Sequence, residues 1–370
     1  MKRQIISIAV KILQFMNLFF KPLKLREKVT IISRQANEPT LDIRLLDECL
    51  KKNGIKTVVL TKTLEKSLSG VFTYALQMVS QMYHIATSKV IIIDGYCILV
   101  SILPKKGQKV IQMWHALGAI KKFGWQNIEN PDGHGKDMSE AMNMHGNYDY
   151  VLAPGKVTGE IFAEAFHVPE EKIIYYGLPR IDFIRAEDKG LKKEMEETYP
   201  QITEKVNVLY VPTFRKNAEL GLEKFIESFD FGKFNLIIKK HFLDKGDYSW
   251  AKEKGAIVDP LFSSMEWLRI CQKVITDYSA MAFEAAIIDR ELYIYQPDVS
   301  AYEHNVGLNV NLCEEAIGKY VCRTEEELFD RMSKEYQKED IIAFRDKYLE
   351  IDLNNCTQNF CDFVANLLAE

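Results

Sequence analysis

The amino-acid sequence predicts an α/β protein made of two doubly wound domains in tandem, with a cleft between them. Short apolar strands alternate with amphipathic helices along most of the chain, as they do in parallel sheets wrapped by helices. This alternation stops in a highly charged segment, residues 186–205, and then starts again. The length of 370 residues also suits two domains of ordinary size.

The start of the chain has the pattern of an amphipathic helix. Polar residues recur at steps of three and four between large apolar ones, until Pro22 ends the pattern. Lys11 interrupts the apolar run, which is too short to span a bilayer, and the absence of a small-residue cleavage site argues against a signal peptide. We interpret residues 1–25 as a helix in the interface of an anionic membrane. The alternative is a first helix packed on the protein's own core.

Residues 26–185 are predicted to form the first α/β domain. Its apolar runs have the character of buried strands, at 28–35, 56–60, 89–96, 109–114, 148–155 and 172–180. Segments with helical spacing lie between them, at 41–54, 71–88 and 156–166. The first of these helices closes with Gly54, which has the position of a C-cap.

Residues 200–340 are predicted to form the second domain, followed by C-terminal helices over 341–370. Its strands are predicted at 205–212, 235–241, 255–259, 273–277 and 291–297, with a compact helix at 279–290. In doubly wound sheets, ligands gather beyond the carboxyl ends of the strands. We therefore expect the chemistry in the loops at those ends.

Charge and cysteine content exclude several classes of protein. The formal net charge of -4 gives no global positive field, so nucleic acid is not expected as a partner. The seven cysteines are odd in number and form no CxxC pair, which indicates a reducing cytosol rather than disulfides or zinc. Motifs of zinc peptidases, P-loop proteins and serine hydrolases are missing from the sequence.

A helix start in the second domain has groups suited to phosphate. The strand 273–277 is followed by an alanine-rich helix that is predicted to begin near Ser279. The amides of Ser279, Ala280 and Met281 would then point back at the strand ends, where a helix N-terminus binds phosphate. The alternative is that Asp277 or Ser279 only caps the helix.

Two further strand ends of this domain carry hydroxyls and cations: Thr213, Arg215 and Lys216 after one strand, Lys239, Lys240 and His241 after another. The guanidinium of Arg215 is a rigid fork suited to phosphate oxygens, although a surface salt bridge is the alternative. Three loops at the same edge of one sheet thus carry groups that can bind phosphate. Together they favour a bound diphosphate.

In the first domain, His115 directly follows an apolar strand and precedes a helix-like segment with Lys121 and Lys122. An imidazole with a near-neutral pKa is a natural general base for an alcohol. Taken alone, a core histidine with satisfied nitrogens is an equal alternative. We expect the two lysines on the following helix, where they hold the acceptor's phosphate or face solvent.

Five segments, in order, resemble the CDP-glycerol glycerophosphotransferase family, the teichoic-acid primases and polymerases of Gram-positive bacteria: ATSKVIIIDGY, KVIQMWHALGAIKKFG, GLPRID, VLYVPTFRK and VITDYSAMAFEAAIIDRELYIYQPD. The resemblance implies two Rossmann-like domains in a glycosyltransferase-B-like arrangement, working at the cytoplasmic face of the cell membrane. It also implies transfer of a polyol phosphate from CDP-glycerol or CDP-ribitol to a hydroxyl of a lipid-linked acceptor, with CMP as leaving group.

The same resemblance implies residue roles. His115 matches the general base, His241 matches a second essential histidine, and Arg180 and Asp182 lie in a GxPRxD element near the hinge. Together with the loop reasoning above, it predicts donor binding by Thr213, Arg215, Lys239, Asp277, Tyr278, Ser279 and Ala280, and acceptor binding by Lys121 and Lys122. No set of metal ligands is predicted, and Mg²⁺ carried by the nucleotide is left open.

Three positions depart from the family pattern. Ala116 stands where glycine is usual after the first histidine, and Phe242 where proline is usual after the second. Val306 stands where an arginine commonly precedes a glycine, which leaves the identity of the polyol open. Two alternatives therefore remain: a nucleotide-sugar glycosyltransferase of the same fold, and a membrane-bound assembly factor that has lost catalysis.

Overall fold

The computed structural model describes residues 2–63, 67–128, 130–133, 135–213, 222–241, 244 and 246–370. Its strands are β1 (Arg26–Ser33), β2 (Thr57–Thr61), β3 (Ser88–Ile93), β4 (Lys109–Gln112), β5 (Tyr150–Ala153), β6 (Ile173–Tyr175), β7 (Val206–Tyr210), β8 (Phe234–Ile238), β9 (Ile257–Val258), β10 (Lys273–Thr276), β11 (Glu291–Tyr295) and β12 (Val321–Cys322).

The helices alternate with these strands. They are α1 (Lys2–Asn17), α2 (Leu41–Lys52), α3 (Leu68–Thr87), α4 (Ile98–Ile102), α5 (Lys136–Ala141), α6 (Lys156–Phe166), α7 (Arg180–Arg185), α8 (Lys189–Thr198), α9 (Leu222–Glu227), α10 (Ser249–Glu253), α11 (Ser264–Ile270), α12 (Met281–Ile287), α13 (Val299–Asn305), α14 (Glu325–Met332), α15 (Lys338–Tyr348) and α16 (Cys356–Ala369).

The first sheet is parallel, with the strand order β2-β1-β3-β4-β5-β6. Ile31 in β1 pairs with Val59 of β2 on one side and with Ile92 of β3 on the other. The chain therefore runs outward from β1 to β2 and then crosses back to β3. This reversal leaves a crevice at the carboxyl ends of β1 and β3, where open α/β sheets bind ligands.

The second sheet is also parallel, with the order β12-β11-β10-β7-β8-β9. Counted from its own first strand, this is the strand order of the Rossmann fold, and its direction reverses between β7 and β10. Leu209 of β7 lies at that reversal, between Val274 of β10 and Ile237 of β8. The two sheets confirm the predicted pair of parallel α/β domains.

The strands read as continuous apolar runs because helices cover both faces of each sheet. Ile91, Ile92 and Ile93 are successive residues of β3, so their side chains alternate between the two faces, yet none is more than 1% exposed. The same burial applies to Val274 and Ile275 of β10. Rigid, buried strands of this kind fix the positions of the loops at their carboxyl ends.

The helix α1 carries two apolar faces. One packs on the core of the first domain through Val10, with Leu13 and Met16 beside it. The other is exposed to solvent, at Ile8, Ile12, Phe15, Leu18 and Phe19 in and just after the helix. In the described part of the chain, the helices fall short of the length and apolarity that crossing a bilayer requires.

The end of the chain returns to the first domain. α15 packs against α12 and α6, and α16 packs against α2 and β3. The ammonium of Lys89 donates to the carbonyl oxygen of Leu368 at 2.9 Å, and the ring of Phe363 meets Tyr150 edge-on at 5.2 Å. The C-terminal helices predicted over 341–370 correspond to α15 and α16, and the link 349–355 between them is not helical.

The helix predicted directly after His115 is also wrong. Lys121 instead forms an antiparallel bridge with Leu308 of the second domain. The N–H of Lys122 donates to the carbonyl of Gly307 at 3.0 Å, and that of Asn309 donates to Ile120 at 2.8 Å. The backbone of this segment is thus used for contact between domains, so it cannot make the bonds of a helix.

The helix predicted to begin near Ser279 begins at Met281. The Ser279 hydroxyl accepts a long bond of 3.3 Å from the N–H of Met281. The loop between β10 and α12 is therefore two residues longer than expected.

Candidate active site

The main cleft lies between the carboxyl ends of the two sheets and has a volume of about 700 Å³. The first domain contributes the segment after β4 together with Arg180, and the second contributes the loops after β7, β8 and β10. Most of the residues predicted for the site line this cleft: His115, Lys121, Thr213, Lys239, His241, Tyr278, Ser279 and Ala280. The folding of the chain therefore brings together groups that lie more than 160 positions apart in the sequence.

His115 follows β4, and its side chain is hydrogen-bonded to the backbone just after the end of β3. Its Nδ1 lies 2.8 Å from the carbonyl oxygen of Asp94. A carbonyl oxygen only accepts hydrogen bonds, so Nδ1 carries the proton and Nε2 keeps the lone pair. In the described structure, Nε2 has no hydrogen-bond partner of its own. It is therefore the nitrogen left for a substrate.

The charge state of His115 follows from its surroundings. Burial lowers the pKa of His115 to about 4, and the positive charges of Arg180 and Lys121 add to this effect, against the Asp94 carbonyl. The imidazole is thus neutral at neutral pH. A neutral imidazole with one free lone pair is the form that accepts a proton.

Trp114 holds the histidine from the side. Its φ of 60° lies in the left-handed region, which is unusual for a bulky residue and marks backbone strain. The N–H of Trp114 donates to the side-chain oxygen of Gln112 at 2.9 Å, and its ring stacks on Phe123 at 4.7 Å. The same ring lies 4.0 Å from the ring of His115. These contacts stabilise the strained turn that presents the imidazole.

Asp277 ties together the ends of β7 and β10, the reversal point of the second sheet. Its buried carboxylate accepts from the N–H of Thr213 at 3.0 Å, from the Thr213 hydroxyl at 2.6 Å and from the N–H of Tyr278 at 2.6 Å. Its bonds join two loops, so Asp277 does not cap α12. The ring of Tyr278 stacks on Tyr302 at 3.7 Å, which closes this side of the cleft.

Lys239 and His241 follow β8. The ammonium of Lys239 donates to the carbonyl of Asp259 at 2.6 Å and to its carboxylate at 3.3 Å, and also to the carbonyl of Phe262. Its charge is therefore already balanced by Asp259. Burial lowers the pKa of His241, and the charge of Lys121 lowers it further. A lysine of the first domain thus lies close to a histidine of the second.

The two lysines expected on the acceptor side are separated. Lys121 lines the cleft, whereas the side chain of Lys122 lies against Gly307 of the second domain. Gly307 has a φ of +82°, and a Cβ there would meet Lys122 at 2.9 Å. The glycine that follows Val306 therefore has a structural reason, since its backbone conformation is one that other residues rarely adopt.

Arg180 joins the two domains at the cleft. Its guanidinium donates to Asp42 at 2.8 Å, to Glu284 at 2.8 Å and to the carbonyl oxygen of His115 at 2.9 Å. The Arg180 side chain is only 13% exposed and each carboxylate 2%, so the three charges are buried together. Burial opposes the cation, but Asp42 and Glu284 hold the pKa of Arg180 above its usual value.

Sequence reasoning named Arg180 but missed both carboxylates. Asp42 lies in the first turn of α2, where acidic residues are common for reasons of the helix dipole. Glu284 is a lone charge in an otherwise apolar helix, and that contrast is the signal that could have found it. Asp182, from the same sequence element as Arg180, accepts from the N–H groups of Cys356 and Thr357 at 2.9 and 2.8 Å and so caps α16.

Three positions named from the sequence, Arg215, Lys216 and Phe242, lie outside the described residues. Within the described ranges, no three His, Cys, Asp or Glu side chains form a group that could hold a metal ion.

Comparison with known proteins places the chain in a family. The profile of the family described as CDP-Glycerol:Poly(glycerophosphate) glycerophosphotransferase matches residues 13–366. A teichoic acid ribitol-phosphate primase of Bacillus spizizenii is 30% identical over 295 residues, which are 75% of this chain and 74% of the relative. A teichoic acid glycerol-phosphate primase of Bacillus subtilis is 28% identical over 367 residues, 95% of each chain.

A solved structure agrees with this at the level of the fold. The wall teichoic acid polymerase TagF matches with a TM-score of 0.74 at 18% identity, over 100% of this chain and 97% of that one. The enzyme class is therefore that of CDP-polyol phosphotransferases, and the nucleotide-sugar glycosyltransferase alternative loses its support. From the profile match over nearly its whole length, we conclude that this chain belongs to the CDP-glycerol:poly(glycerophosphate) glycerophosphotransferase family.

Proposed function

We propose that this protein transfers a polyol phosphate, most simply glycerol phosphate, from a CDP-polyol to a hydroxyl of a lipid-linked glycan or teichoic-acid acceptor and releases CMP. The observation that carries the proposal is the state of His115. Its imidazole is neutral, its Nδ1–H is bound to Asp94, and its Nε2 is left for substrate at the wall of the cleft. The family supplies the class of donor.

In the proposed step, Nε2 of His115 takes the proton of the acceptor hydroxyl while the acceptor oxygen bonds to the phosphorus that carries the polyol. The bond from that phosphorus to the bridging oxygen of the diphosphate breaks, and the bridging oxygen leaves with CMP. Phosphoryl transfer depends on positioning and charge neutralisation rather than on covalent help from the protein. A positioned general base contributes about 10²–10⁴-fold.

The opposite wall of the cleft suits the donor diphosphate. His241 brings a hydrogen-bond donor, and the loop 279–280 adds backbone amides ahead of α12. Lys121 reaches towards His241 from the first domain. Preorganised donors of this kind stabilise charge that develops on phosphate oxygens. The tie between Asp277 and Thr213 holds this wall in one shape before the donor arrives.

We further propose that the protein works as a peripheral enzyme at the cytoplasmic face of the cell membrane. The support is the outer face of α1, where Phe15 is 62% and Phe19 is 73% exposed. Soluble surfaces seldom expose such a contiguous apolar stripe. Val10 of the same helix packs on the core of the first domain. The proposal therefore combines the two interpretations of the N-terminal pattern: one face of α1 packs on the protein and the other faces the membrane.

The test is transfer by the purified full chain in lipid vesicles. CDP-glycerol and CDP-ribitol are offered in turn with a lipid-linked acceptor, and CMP and the mass of the product are followed. CMP release that depends on one donor and on the acceptor supports the proposal and names the polyol. Release of UDP from a UDP-sugar, with no CMP from either donor, would contradict it. Tight CDP-polyol binding without turnover on any acceptor would favour the assembly-factor alternative.

A further inference from the structure

The imidazole of His115 has two neighbours at the same nitrogen. Its Nδ1 lies 2.8 Å from the carbonyl oxygen of Asp94 and 3.1 Å from the amide nitrogen of the Gln35 side chain. The first contact requires a proton on Nδ1, because a carbonyl oxygen only accepts hydrogen bonds. The second would require a lone pair on Nδ1, because an amide NH₂ group only donates. A neutral imidazole meets one of these two requirements at a time.

A half-turn of the Gln35 amide satisfies both neighbours. The oxygen and nitrogen of a glutamine amide exchange places by rotation about the last side-chain bond, with almost no change in shape. With the oxygen of Gln35 beside Nδ1, the N–H of His115 is shared between two acceptors and both contacts are attractive. The opposite arrangement, with the proton on Nε2, would leave the Asp94 carbonyl oxygen 2.8 Å from a lone pair, where two partial negative charges repel each other.

The surroundings of Gln35 leave its amide room for this orientation. The side chain is half-buried and lines a cavity of about 580 Å³ beside the main cleft. The NH₂ group that turns away from His115 therefore has space for solvent. On the other side, a Cβ at Gly95 would come within 3.1 Å of the Gln35 amide. Gly95 thus keeps open the place in which the amide lies beside the imidazole.

Hydrogen bonds to neighbouring strand ends fix the backbone of Gln35. Its N–H donates to the hydroxyl oxygen of Ser33 at 3.2 Å, and the Ser33 hydroxyl donates to the carboxylate of Asp94 at 2.7 Å. Ser33 is the last residue of β1 and Asp94 follows β3, and each is only 1% exposed. Gln35 is therefore tied to the same residue whose carbonyl oxygen holds His115.

We propose that Gln35 is a positioning residue for the base: its amide oxygen accepts from Nδ1–H of His115 and so keeps Nε2 free to take the proton of the acceptor hydroxyl. When Nε2 takes that proton, the positive charge spreads over both N–H groups of the ring. The oxygens of Gln35 and Asp94 then stabilise the charge at Nδ1, since hydrogen bonds to charged groups contribute more than neutral ones. This assignment rests on the proposed function, in which His115 is the base.

Two substitutions distinguish an acceptor at this position from a donor. An ionised carboxylate in Gln35→Glu keeps an oxygen beside Nδ1 and has no N–H to place there. Gln35→Met fills a similar volume without an acceptor of comparable strength. Gln201→Met, at an exposed glutamine of the second domain, is the control. Thermal unfolding of all three variants checks that each has folded.

The kinetic test is the transfer reaction at pH 8. Gln35→Met should lower kcat about tenfold to a hundredfold, as for a lost hydrogen bond to a charged group, and leave KM for the CDP-polyol unchanged. Gln35→Glu should keep kcat close to that of wild type. Its added charge favours the imidazolium, so the acidic limb of kcat/KM should move upward by about 1–3 pH units. A Gln35→Glu variant as slow as Gln35→Met, or a Gln35→Met variant as fast as wild type, would overturn the proposal.

The other charged groups around His115 are the same in wild type and in every variant. They come from both domains: Arg180, Lys121, Asp42 and Asp94 of the first, and Glu284 and His241 of the second. Burial raises the pKa of Asp94 to about 7, so this carboxyl also titrates within the measured range. Because its titration is common to all the proteins compared, a difference between their pH profiles reports the change at Gln35.

Nuclear magnetic resonance tests the same assignment without turnover. The histidines of the full-length chain are labelled with nitrogen-15, and the His115 signal is identified by its loss in His115→Asn. We expect the neutral ring of wild type to carry its proton on Nδ1, and the pKa of His115 to be higher in Gln35→Glu than in wild type. These two results in a protein that transfers no polyol phosphate would support the placement of Gln35 and refute the proposed function. A wild-type ring with its proton on Nε2, or equal pKa values for His115 in wild type and Gln35→Glu, would overturn the role of Gln35.

Discussion

Arg180 donates a hydrogen bond of 2.8 Å to Glu284, and this bond joins a helix of the first domain to α12 of the second, beside the cleft. The same guanidinium holds the carbonyl oxygen of His115 at 2.9 Å. The geometry of His115 is therefore linked to the relative position of the two domains. A buried cation with two carboxylates is stable only when all its partners are present.

We expect Arg180→Gln to lower the free energy of unfolding by about 3–5 kcal/mol, because it leaves Asp42 and Glu284 buried without a cation. Denaturant unfolding of the purified variant measures this. The matched control is Arg185→Gln, an exposed residue of the same helix with one bond of 3.3 Å to Asn354. That change should stay within about 0.5 kcal/mol of wild type. Equal free energies of unfolding for Arg180→Gln and Arg185→Gln would contradict the role given to Arg180.

The low pKa of His115 predicts a wide acidic range of activity. Burial shifts the pKa from 6.5 to about 4, so the base form persists as pH falls from 7 towards 5. The value of kcat/KM for the CDP-polyol, which reports on the free enzyme, should therefore lose half its maximum only near pH 4. An acidic limb centred near 6.5 would mean that the histidine is not desolvated as described.

The same shift has a consequence for stability. The unfolded chain binds a proton at His115 between pH 6.5 and about 4, whereas the folded protein does not. The stability that this residue contributes is full above 6.5 and is lost as pH falls through that window. We expect His115→Asn to flatten the decline of unfolding free energy between pH 6.5 and 4. If the unfolding free energy of the variant had the same pH dependence as that of wild type, His115 would not be the source of the decline.

Asp277→Asn should weaken donor binding without unfolding the protein. The amide would turn an N–H donor towards the N–H groups of Thr213 and Tyr278, so the two loops would separate at a cost of about 1–3 kcal/mol. Calorimetry with the CDP-polyol should show affinity reduced about tenfold or more. Thr213→Val, which removes only the hydroxyl bond of 2.6 Å, is the graded control and should have a smaller effect. If Asp277→Asn bound the CDP-polyol as tightly as wild type, the hydrogen bonds of Asp277 would not be needed to shape the donor side of the cleft.

The exposed face of α1 predicts membrane binding that can be removed without loss of fold. Phe15→Asp with Phe19→Asp should abolish sedimentation with anionic phosphatidylglycerol vesicles, since each buried phenylalanine contributes about 1.5–3 kcal/mol. Leu261→Asp is the control, because Leu261 is 68% exposed but belongs to the second domain. Retained sedimentation of the double variant would remove α1 from the proposed membrane surface.

Much of this architecture can be predicted from sequence, because continuous apolar runs report strands that are buried on both faces. Such runs predict the strands around Ile92 and Val274, which are fully buried in the structure. The carboxyl ends of those strands then predict the cleft, since parallel strands end at the same edge. The donor-side loops and His115 meet there for that reason.

The failures have a common physical cause, which is pairing between distant parts of the chain. The segment after His115 has helical spacing, but its backbone bonds to residues 307–309 of the other domain. Asp94 contributes a backbone carbonyl, which any residue type would supply, so its role leaves no mark in the sequence. The crevice at the carboxyl ends of β1 and β3 depends on the crossing of the chain between these strands, and strand order cannot be predicted from local patterns.

The most direct test of the central claim is a single turnover with His115→Ala. The purified variant is loaded with the CDP-polyol that wild type uses, the lipid-linked acceptor is added, and CMP formation is followed at pH 7. We expect donor affinity close to wild type and a rate lower by about 10²–10⁴-fold, the contribution of a positioned general base. A rate within a few-fold of wild type, with the donor bound, would show that His115 is not the base.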